Sequence, residues 1–319
     1  MSVKTATVRN VTWRPSQFLS ILDLTPAELE TCLDLAASMK HARQTQRPHA
    51  TPLDGKHVAM LFEKPSLRTR STFTIAVREL GGDVLEPPAE VVLGGRETVE
   101  DVARNLERWV FGLVVRTFAQ SRLERLAAAA PRLRVVNALT DEEHPCQALA
   151  DCQTLLERLG SLQGRTVAFV GDGNNVAASL AQAVAMLGGT VAVASPKGFE
   201  LPQSVRDAVA RVARFGGGVQ VTNDPIDAVS GASAVYTDVW ASMGQEGEAA
   251  SRREIFTPFQ VNAALMAHAP SGALFMHCLP AHRGDEVTDE VIDSPASVVF
   301  DQSENRLHAQ KALLALLAS

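Results

Sequence analysis

A turn rich in hydroxyl and guanidinium groups, Ser66-Leu67-Arg68-Thr69-Arg70, follows the apolar run His57 to Phe62 and precedes residues that can continue as a helix. Free backbone N–H groups converge where a helix begins, and the helix dipole favours negative charge there. The two arginines add planar, permanently charged groups that suit a phosphate or a carboxylate. The turn therefore predicts an anion site, with a capped helix carrying surface arginines as the alternative.

Two more arginines can contribute to this site. Arg116 directly follows the apolar strand Leu113-Val114-Val115, and Arg306 stands where a C-terminal helix is expected to open and return to the first domain. On its own, Arg116 would be interpreted as a structural arginine paired with Glu or Asp. Beside Arg68, on a neighbouring strand end, a shared anion is the better explanation.

The segment His144-Pro145-Cys146-Gln147 lies where a strand-end loop turns into a helix. Pro145 makes the backbone rigid, so His144 can present an imidazole donor and Gln147 an amide to one small group. Such donors could polarise a carbonyl and stabilise the oxyanion that forms when it is attacked. No second histidine or acid stands at ligand spacing, so we do not expect a metal here.

Gly171-Asp172-Gly173-Asn174-Asn175-Val176 follows a strand and opens a helix, as a dinucleotide-binding fingerprint does. However, Val176 occupies the third glycine position, and Ala194-Ser195-Pro196-Lys197 stands where an acid should end the next strand. We therefore do not expect a nicotinamide cofactor. Asn174 and Asn175 suit a substrate carboxylate better.

Asp238-Val239-Trp240-Ala241-Ser242-Met243-Gly244 also follows an apolar strand. Asp238 can pair with a substrate ammonium group, while Ser242 and Met243 offer hydroxyl and backbone groups. The alternative is that Trp240 and Met243 are simply core residues.

His277-Cys278-Leu279-Pro280 occupies the same position after the last predicted strand, and His282 follows closely. A cysteine at a strand end between two histidines suggests a thiolate nucleophile, which would need a base and an oxyanion site of its own. A buried free cysteine is the alternative.

These groups must be positioned by an alternation of short apolar runs and helical stretches. We predict strands at 57–62, 112–115, 134–136, 166–170, 190–194, 218–221, 233–236 and 273–276, and helices at 72–80, 97–109, 121–129, 147–159, 176–187, 203–214, 225–230, 259–267 and 303–317. Asp83 to Gly95 is expected to be a loop. Thr25, Pro26 and Glu28 also mark the start of a helix.

Strands separated by helices of this length form parallel sheets. The predicted fold class is α/β, with two doubly wound parallel-sheet domains joined by long helices. The first domain comprises 1–148 and is completed by the C-terminal helix at 303–319, and the second comprises 149–302. Ligands bind at the carboxyl ends of such strands, and each polar group above falls at one of these ends.

The composition narrows the class of protein. The 319 residues fit two domains, and the net charge of −6 argues against a nucleic-acid binder. Four cysteines without a C-x-x-C pair suit a reducing cytosol and indicate no zinc site: Cys32, Cys146, Cys152 and Cys278. No run is long and apolar enough to span a membrane, and the first fifteen or so residues lack a signal-peptide core. We expect a soluble cytoplasmic protein with a short N-terminal extension.

Taken together, the motifs resemble those of ornithine carbamoyltransferases from about residue 17 to the end. The Ser66 and His144 motifs are shared with aspartate carbamoyltransferases and imply carbamoyl phosphate. Ser242-Met243-Gly244 and His277-Cys278-Leu279-Pro280 imply ornithine. The sequence departs from the family at Leu67, where threonine is usual, and at Val92, where many relatives have Gln or His to reach a neighbouring subunit.

The resemblance implies a carbamoyl transfer from carbamoyl phosphate to the δ-amine of L-ornithine, without a metal or organic cofactor, in a homotrimer or a larger assembly of trimers. It implies catalytic roles for Arg116, His144 and Cys278, with Cys278 near the substrate's amines. The implied carbamoyl-phosphate-binding residues are Ser66, Leu67, Arg68, Thr69, Arg116, His144, Gln147, Cys278, Leu279 and Arg306. The implied ornithine-binding residues are Asn175, Asp238, Ser242 and Met243.

Other functions stay open at this point. Within the same class, the acceptor could be another amine, such as putrescine or an N-acylated ornithine. Outside the class stand an NAD-dependent oxidoreductase and a catalytically silent binding protein. Partners other than small molecules, such as nucleic acid or a membrane, are not expected.

Overall fold

The structure, a computed structural model, describes residues 12–88, 95, 97–241 and 246–319. Its first sheet has four parallel strands in the order β2-β1-β3-β4. In chain order these are β1 (His57–Phe62), β2 (Asp83–Leu85), β3 (Gly112–Arg116) and β4 (Arg134–Leu139). All of β3 is buried, as expected of a central strand covered by helices on both faces.

The second sheet has five parallel strands in the order β7-β6-β5-β8-β9. They are β5 (Thr166–Val170), β6 (Thr190–Ala194), β7 (Gly218–Thr222), β8 (Ala234–Thr237) and β9 (Leu274–His277). The predicted fold class, two parallel-sheet α/β domains, is confirmed.

Helices cover both sheets and join them. They are α1 (Pro26–Gln44), α2 (Leu67–Glu79), α3 (Val99–Trp109), α4 (Gln120–Ala129), α5 (Pro145–Leu159), α6 (Asn175–Met186), α7 (Gln203–Val212), α8 (Pro225–Val229), α9 (Ala249–Phe256), α10 (Ala263–Met266), α11 (Asp289–Ile292) and α12 (Val299–Leu317). Although α12 follows the second sheet in the chain, it packs against α1, α2 and α5. The last helix therefore returns to the first domain. None of the helices within the described ranges has the length and apolar character of a membrane-spanning segment.

The strand order places a switch point in each sheet. After β1 the chain moves to one side of the first sheet, and β3 lies on the other side. Phe62 pairs with Arg116 at this point, so the turns after β1 and β3 are neighbours. In the second sheet the switch point lies between β5 and β8, next to β9. Ligands of doubly wound sheets bind at such points.

Several predicted elements need correction. The helix predicted at 72–80 begins at Leu67 because Ser66 caps it, so Arg68 and Arg70 lie in its first turn. The loop predicted at 83–95 contains β2. The C-terminal helix begins at Val299 instead of 303, so Arg306 lies well inside it; Val298 provides no side-chain cap that would mark the start.

The helix predicted at 259–267 is also wrong. Thr257–Phe259 forms a 3-10 turn, and the α-helix begins only at Ala263, after Asn262 caps it. The short helices α9 and α11 were not predicted. The predicted N-terminal extension falls largely on 1–11, outside the described residues.

Candidate active site

A cleft of about 770 Å³ opens where the carboxyl ends of the two sheets face each other. Its walls come from the turns after β1, β3 and β4, from the turns after β5, β8 and β9, and from α12. Most of the predicted site residues lie on these walls: Ser66, Leu67, Arg68, Thr69, Arg116, His144, Asn175, Asp238, Cys278, Leu279 and Arg306. Strand ends from both domains therefore meet in one place.

The first wall is the start of α2. The Ser66 hydroxyl accepts a hydrogen bond from the Thr69 backbone N–H at 3.2 Å. Other N–H groups in the first turn of a helix have no partner within it. Leu67 is 78% exposed, so its backbone N–H, and not its side chain, is the group that can serve an anion.

Three guanidinium groups, those of Arg68, Arg116 and Arg306, face the same cleft. None of them forms an ion pair with a carboxylate in the described part of the chain. Burial and then repulsion by Arg306 lower the pKa of Arg116 to about 10. Burial also lowers the pKa of Arg68 and of Arg306. All three are still cations at neutral pH, so this wall of the cleft carries positive charge that suits an anionic ligand.

Gln147 lies behind this cluster and is 1% exposed. Its Oε1 accepts a hydrogen bond from Arg306 Nη1 at 2.6 Å, and its Nε2 donates to Asp151 Oδ1 at 2.7 Å. Arg306 Nη2 donates in turn to Thr69 Oγ1 at 2.9 Å. The sequence predicted an amide presented to a ligand. In the structure the amide donor serves Asp151, and Gln147 contacts the cleft through Arg306.

His144 immediately precedes α5, whose first residue is Pro145. Its backbone N–H donates to Ser179 Oγ, 2.9 Å away on α6. Burial, followed by repulsion from Arg306 and the other arginines, lowers the pKa of His144 well below its ordinary value. The imidazole is therefore neutral at pH 7 and has one N–H to donate, as a carbonyl oxygen requires.

Glu143 stabilises the loop that carries His144. Its carboxylate accepts hydrogen bonds from Ser20 Oγ at 2.5 Å and from Ser179 Oγ at 3.0 Å. Burial raises the pKa of Glu143. This role is not predictable from the sequence, because nothing in Asp141-Glu142-Glu143 shows which acid points inward.

Asp238 dominates the opposite wall. Its Oδ2 accepts from Asn174 Nδ2 at 2.9 Å, and its Oδ1 accepts from Cys278 Sγ at 3.0 Å. The side-chain oxygen of Asn174 caps α6, so this residue is used within the protein and not by a substrate carboxylate. Asn175 lines the cleft, and its Nδ2 donates to the Thr140 carbonyl at 2.5 Å.

Cys278 is a thiol, not the thiolate that its flanking histidines suggested. Desolvation and then the negative charge of Asp238 raise the pKa of Cys278 well above its ordinary value. The Sγ–H···Oδ1 contact with Asp238 uses the proton. A thiolate nucleophile is therefore not the resting form of this residue.

Asp238, His277 and Cys278 place an oxygen, a ring nitrogen and a sulfur within 4.8 Å of one another, a grouping that could hold a metal ion. Sequence spacing did not predict it, because the residues come from two strand ends. His277 Nδ1 accepts from the Leu279 N–H at 2.8 Å, and its Nε2 lies 3.2 Å from Glu286 Oε1. Both ring nitrogens of His277 are thus already engaged.

The glycine-rich turn after β5 does not present its backbone to a dinucleotide. A Cβ on Gly173 would lie 2.4 Å from the Leu201 nitrogen, so the glycine is needed for the close approach of Leu201. The Gly173 N–H donates to the Phe199 carbonyl at 2.8 Å. The backbone of Glu200 and Leu201 thus occupies the space beside Gly173, where a dinucleotide-binding turn leaves room for the pyrophosphate.

Some cleft residues were not predicted. Lys64 is buried, donates to Asp141 Oδ1 at 2.6 Å and lies 4.3 Å from the ring centre of Phe118. The position of Lys64 just before the Ser66 motif could have indicated that it lies at the cleft. Arg252 pairs with Asp172 at 2.7 Å, but it lies on α9, a helix that no sequence pattern predicts. Ser242, Met243 and Val92 fall outside the described residues.

Comparisons with known proteins agree with this geometry. The carbamoyl-P binding domain of aspartate/ornithine carbamoyltransferases matches residues 16–157, and the Asp/Orn binding domain of the same family matches residues 163–317. An ornithine carbamoyltransferase of Thermococcus kodakarensis is 52% identical over 301 residues, which are 94% of this chain and 95% of that protein.

Solved structures of the same family also match this chain. An ornithine carbamoyltransferase from Pyrococcus furiosus matches with a TM-score of 0.92 and 49% identity, covering 96% of this chain and 98% of that chain. One from Gloeobacter violaceus matches with a TM-score of 0.86 and 44% identity, covering 97% and 100%.

Proposed function

The chain belongs to the aspartate/ornithine carbamoyltransferase family, and from this premise we infer that it is an ornithine carbamoyltransferase. It transfers the carbamoyl group of carbamoyl phosphate to the δ-amine of L-ornithine, giving L-citrulline and phosphate. One observation carries the assignment of the two half-sites: guanidinium groups without carboxylate partners face Asp238 across one cleft. A doubly charged phosphate suits the first wall and an amino-acid ammonium group the second.

The phosphate half of the site consists of the start of α2 and the three arginines. We propose that Ser66, the Leu67 and Arg68 backbone and Thr69 hold the phosphate, with the side chains of Arg68, Arg116 and Arg306 around it. Because Gln147 and Thr69 already hold Arg306 before the substrate arrives, this cation needs little reorganisation as negative charge passes to the departing phosphate. Its position thus favours the transition state over the ground state.

The carbamoyl carbonyl lies toward His144 in this scheme. A neutral imidazole donates one hydrogen bond to the carbonyl oxygen, and that bond strengthens as the oxyanion forms. A charged imidazolium would add a fourth cation beside the arginines, and these arginines are what keeps the pKa of His144 low, after burial. Gln147 contributes by holding Arg306.

The ornithine half consists of Asp238 and Asn175, with Ser242, Met243 and the Cys278-Leu279 turn as further proposed contacts. Asp238 pairs with the α-ammonium group of the amino acid, and the second N–H of Asn175 Nδ2, the one that does not bond the Thr140 carbonyl, donates to its carboxylate. Cys278 orients Asp238 by donating to its Oδ1. The assignment of both domains to separate substrates, with a boundary near 148 and 149, is part of this proposal.

The amine must give one proton to solvent before it attacks. A lysine-like amine has a free pKa near 10.4, so only about 0.1% is neutral at pH 7. The three guanidinium groups in the cleft disfavour a further cation and lower the pKa of the amine. The neutral amine forms the C–N bond, the C–O bond to phosphate breaks, and the amine's second proton goes to the departing phosphate oxygen, the most basic group formed.

A citrulline assay with alternative acceptors tests the function. We expect turnover with L-ornithine and background rates with putrescine, N-acetylornithine and L-aspartate, because only ornithine offers both an α-ammonium group for Asp238 and a free δ-amine. Turnover with aspartate or putrescine at the rate seen with ornithine would contradict the assignment.

We also propose that the enzyme is a homotrimer, or an assembly of trimers, in the cytoplasm. Family resemblance supports the trimer, and exposed apolar side chains on α2 and β2, namely Leu67, Ile75 and Leu85, agree with a covered surface there. The free cysteines suit a reducing compartment. Light scattering coupled to gel filtration tests the assembly: a mass of one 34.2 kDa chain would contradict it.

A further inference from the structure

The buried carboxyl group of Asp151 has no cation in direct contact among the described residues. Asp151 lies on α5, one turn after Gln147, and is 0% exposed. Its Oδ1 accepts from Gln147 Nε2 and Gln302 Nε2, each at 2.7 Å, and its Oδ2 accepts from Tyr236 Oη at 3.2 Å. Burying a carboxyl group among neutral donors costs free energy that an apolar residue would not. This cost indicates that the carboxyl group of Asp151 has a role in the function of the protein.

One branch of this network leads to the phosphate half of the cleft. Gln147 stands between a carboxylate, which can only accept, and a guanidinium group, which can only donate. Its amide must therefore turn its NH2 to Asp151 and its oxygen to Arg306 Nη1, as observed. Arg306 then reaches Thr69 Oγ1 at 2.9 Å. With the amide reversed, two donors would face each other and Arg306 would lose this support.

The other branch leads to the ornithine half. Gln302 Oε1 accepts the backbone N–H of His277, the last residue of β9, at 3.0 Å. This fixes the Gln302 NH2 on the side of Asp151 and Tyr236 Oη, the latter at 3.0 Å. Tyr236 lies on β8, two residues before Asp238, and His277 immediately precedes Cys278. The branch thus holds the ends of the two strands that carry the opposite wall.

Protonation of Asp151 would leave both branches intact. Two N–H groups point at Oδ1, so a proton on this carboxyl group can reside only on Oδ2, facing Tyr236. Asparagine can copy that arrangement with its oxygen at Oδ1 and its NH2 at Oδ2. Leucine, of similar size, cannot accept a hydrogen bond at all. Comparing the two substitutions shows whether the hydrogen-bond acceptor of Asp151, and not only its side-chain volume, is required.

We propose that Asp151 is a positioning residue shared by both halves of the active site. Through Gln147 it fixes Arg306 for the phosphate, and through Gln302 and Tyr236 it fixes the strand ends that carry Asp238 and Cys278. The proposal deepens the proposed function and rests on it for the identity of the second substrate. The phosphate branch can be tested without knowing the second substrate, because inorganic phosphate suffices as the probe.

The experiment compares Asp151→Leu and Asp151→Asn in the full-length protein. Cys152→Ala serves as the matched control, since Cys152 is buried on the same helix and outside the network. Calorimetry gives the Kd of inorganic phosphate, and citrulline formation gives the KM of ornithine. We expect Asp151→Leu to raise both by about tenfold, the effect of losing one well-placed hydrogen bond in each branch. Asp151→Asn and Cys152→Ala should stay within about threefold.

Gln302→Leu removes the hydrogen bonds of the second branch only. It tests the proposal even if Asp151→Leu does not fold. We expect it to raise the ornithine KM by about tenfold and to change the phosphate Kd by less than about threefold. Equal losses in Asp151→Leu and Asp151→Asn, or an unchanged ornithine KM in Gln302→Leu, would overturn the proposal. A wild-type protein that binds phosphate but makes no citrulline would instead overturn the proposed function.

Discussion

At the scale of single residues, the arginines were predictable because their chemistry is local. A guanidinium group is charged in any environment, and its place after an apolar strand fixes which end of the sheet it occupies. Arg68 and Arg116 therefore lie in the cleft as the sequence predicts. The orientation of Gln147 and the inward turn of Glu143 depend on partners more than a hundred residues away or on other helices, so no local pattern reports them.

Arg68→Ala should weaken carbamoyl phosphate specifically. Arg68 has no carboxylate partner in the described residues, so its loss removes charge from the cleft without leaving another group unpaired. We expect the KM of carbamoyl phosphate to rise by about ten- to a hundredfold, the range for one charge-assisted hydrogen bond. Arg70→Ala is the control, because Arg70 lies in the same turn and pairs with Glu86 outside the cleft. An equal change in the KM of carbamoyl phosphate in both variants would show that Arg68 does not bind this substrate.

Asp151 should also make stability depend on pH. Desolvation raises the pKa of Asp151 from 3.8 to about 7 in the folded protein. The folded state then holds a proton that the unfolded state releases, so this contribution to stability is complete below pH 3.8 and is lost as pH rises to 7 and above. The loss is of the order of 4 kcal/mol.

The Asp151→Asn protein lacks this titration. Its urea midpoint, relative to that of the wild type, should therefore improve between pH 5 and pH 8. The same difference for Cys152→Ala should stay constant. A relative midpoint for Asp151→Asn that does not move with pH would show that the carboxyl group is ionised throughout.

At the scale of elements, the regular alternation of strands and helices was predictable, and irregular segments were not. Strands such as β1 and β5 are apolar runs bounded by polar turns, and their limits were predicted correctly. Asp83–Leu85 is too short to show a pattern before Pro87-Pro88, and it pairs only because β1 lies beside it. The start of α12 carries no capping side chain, so it could be located only by its packing.

Ser179 on α6 links an element of the second domain to the loop of His144. Its hydroxyl accepts the His144 N–H and donates to Glu143. Ser179→Ala leaves the buried His144 N–H without its partner and removes one of the hydrogen bonds to Glu143, which keeps those from Ser20 and Ile21. We therefore expect kcat to fall by about tenfold and stability to fall by about 1–3 kcal/mol. Ser230→Ala, which removes only a helix-surface contact to the Ile226 carbonyl, is the control. Normal kcat in Ser179→Ala would mean that His144 is positioned by α5 alone.

At the scale of the whole molecule, two domains contribute one cleft, so ligands should stabilise the fold as a unit. Any ligand that binds only the folded protein adds RT ln(1 + [L]/Kd), which is about 2.7 kcal/mol at a hundred times Kd. We expect inorganic phosphate to raise the melting temperature by several degrees. NAD should have no effect, because the turn after β5 is filled by Leu201. If NAD raised the melting temperature and phosphate did not, the cleft would be a dinucleotide site and not a site for carbamoyl phosphate.

The return of α12 to the first domain has a consequence for biosynthesis. The ribosome makes this helix after both sheets, and with it Arg306 and the hydrogen-bonded link to Thr69 on α2. A nascent chain that already exposes the Ser66 turn outside the exit tunnel thus lacks one of its three cations and the cover over α1, α2 and α5. Substrate capture therefore requires that α12 has been synthesised and has packed on the first domain, and a polypeptide that ends before α12 lacks both Arg306 and the cover over α1, α2 and α5.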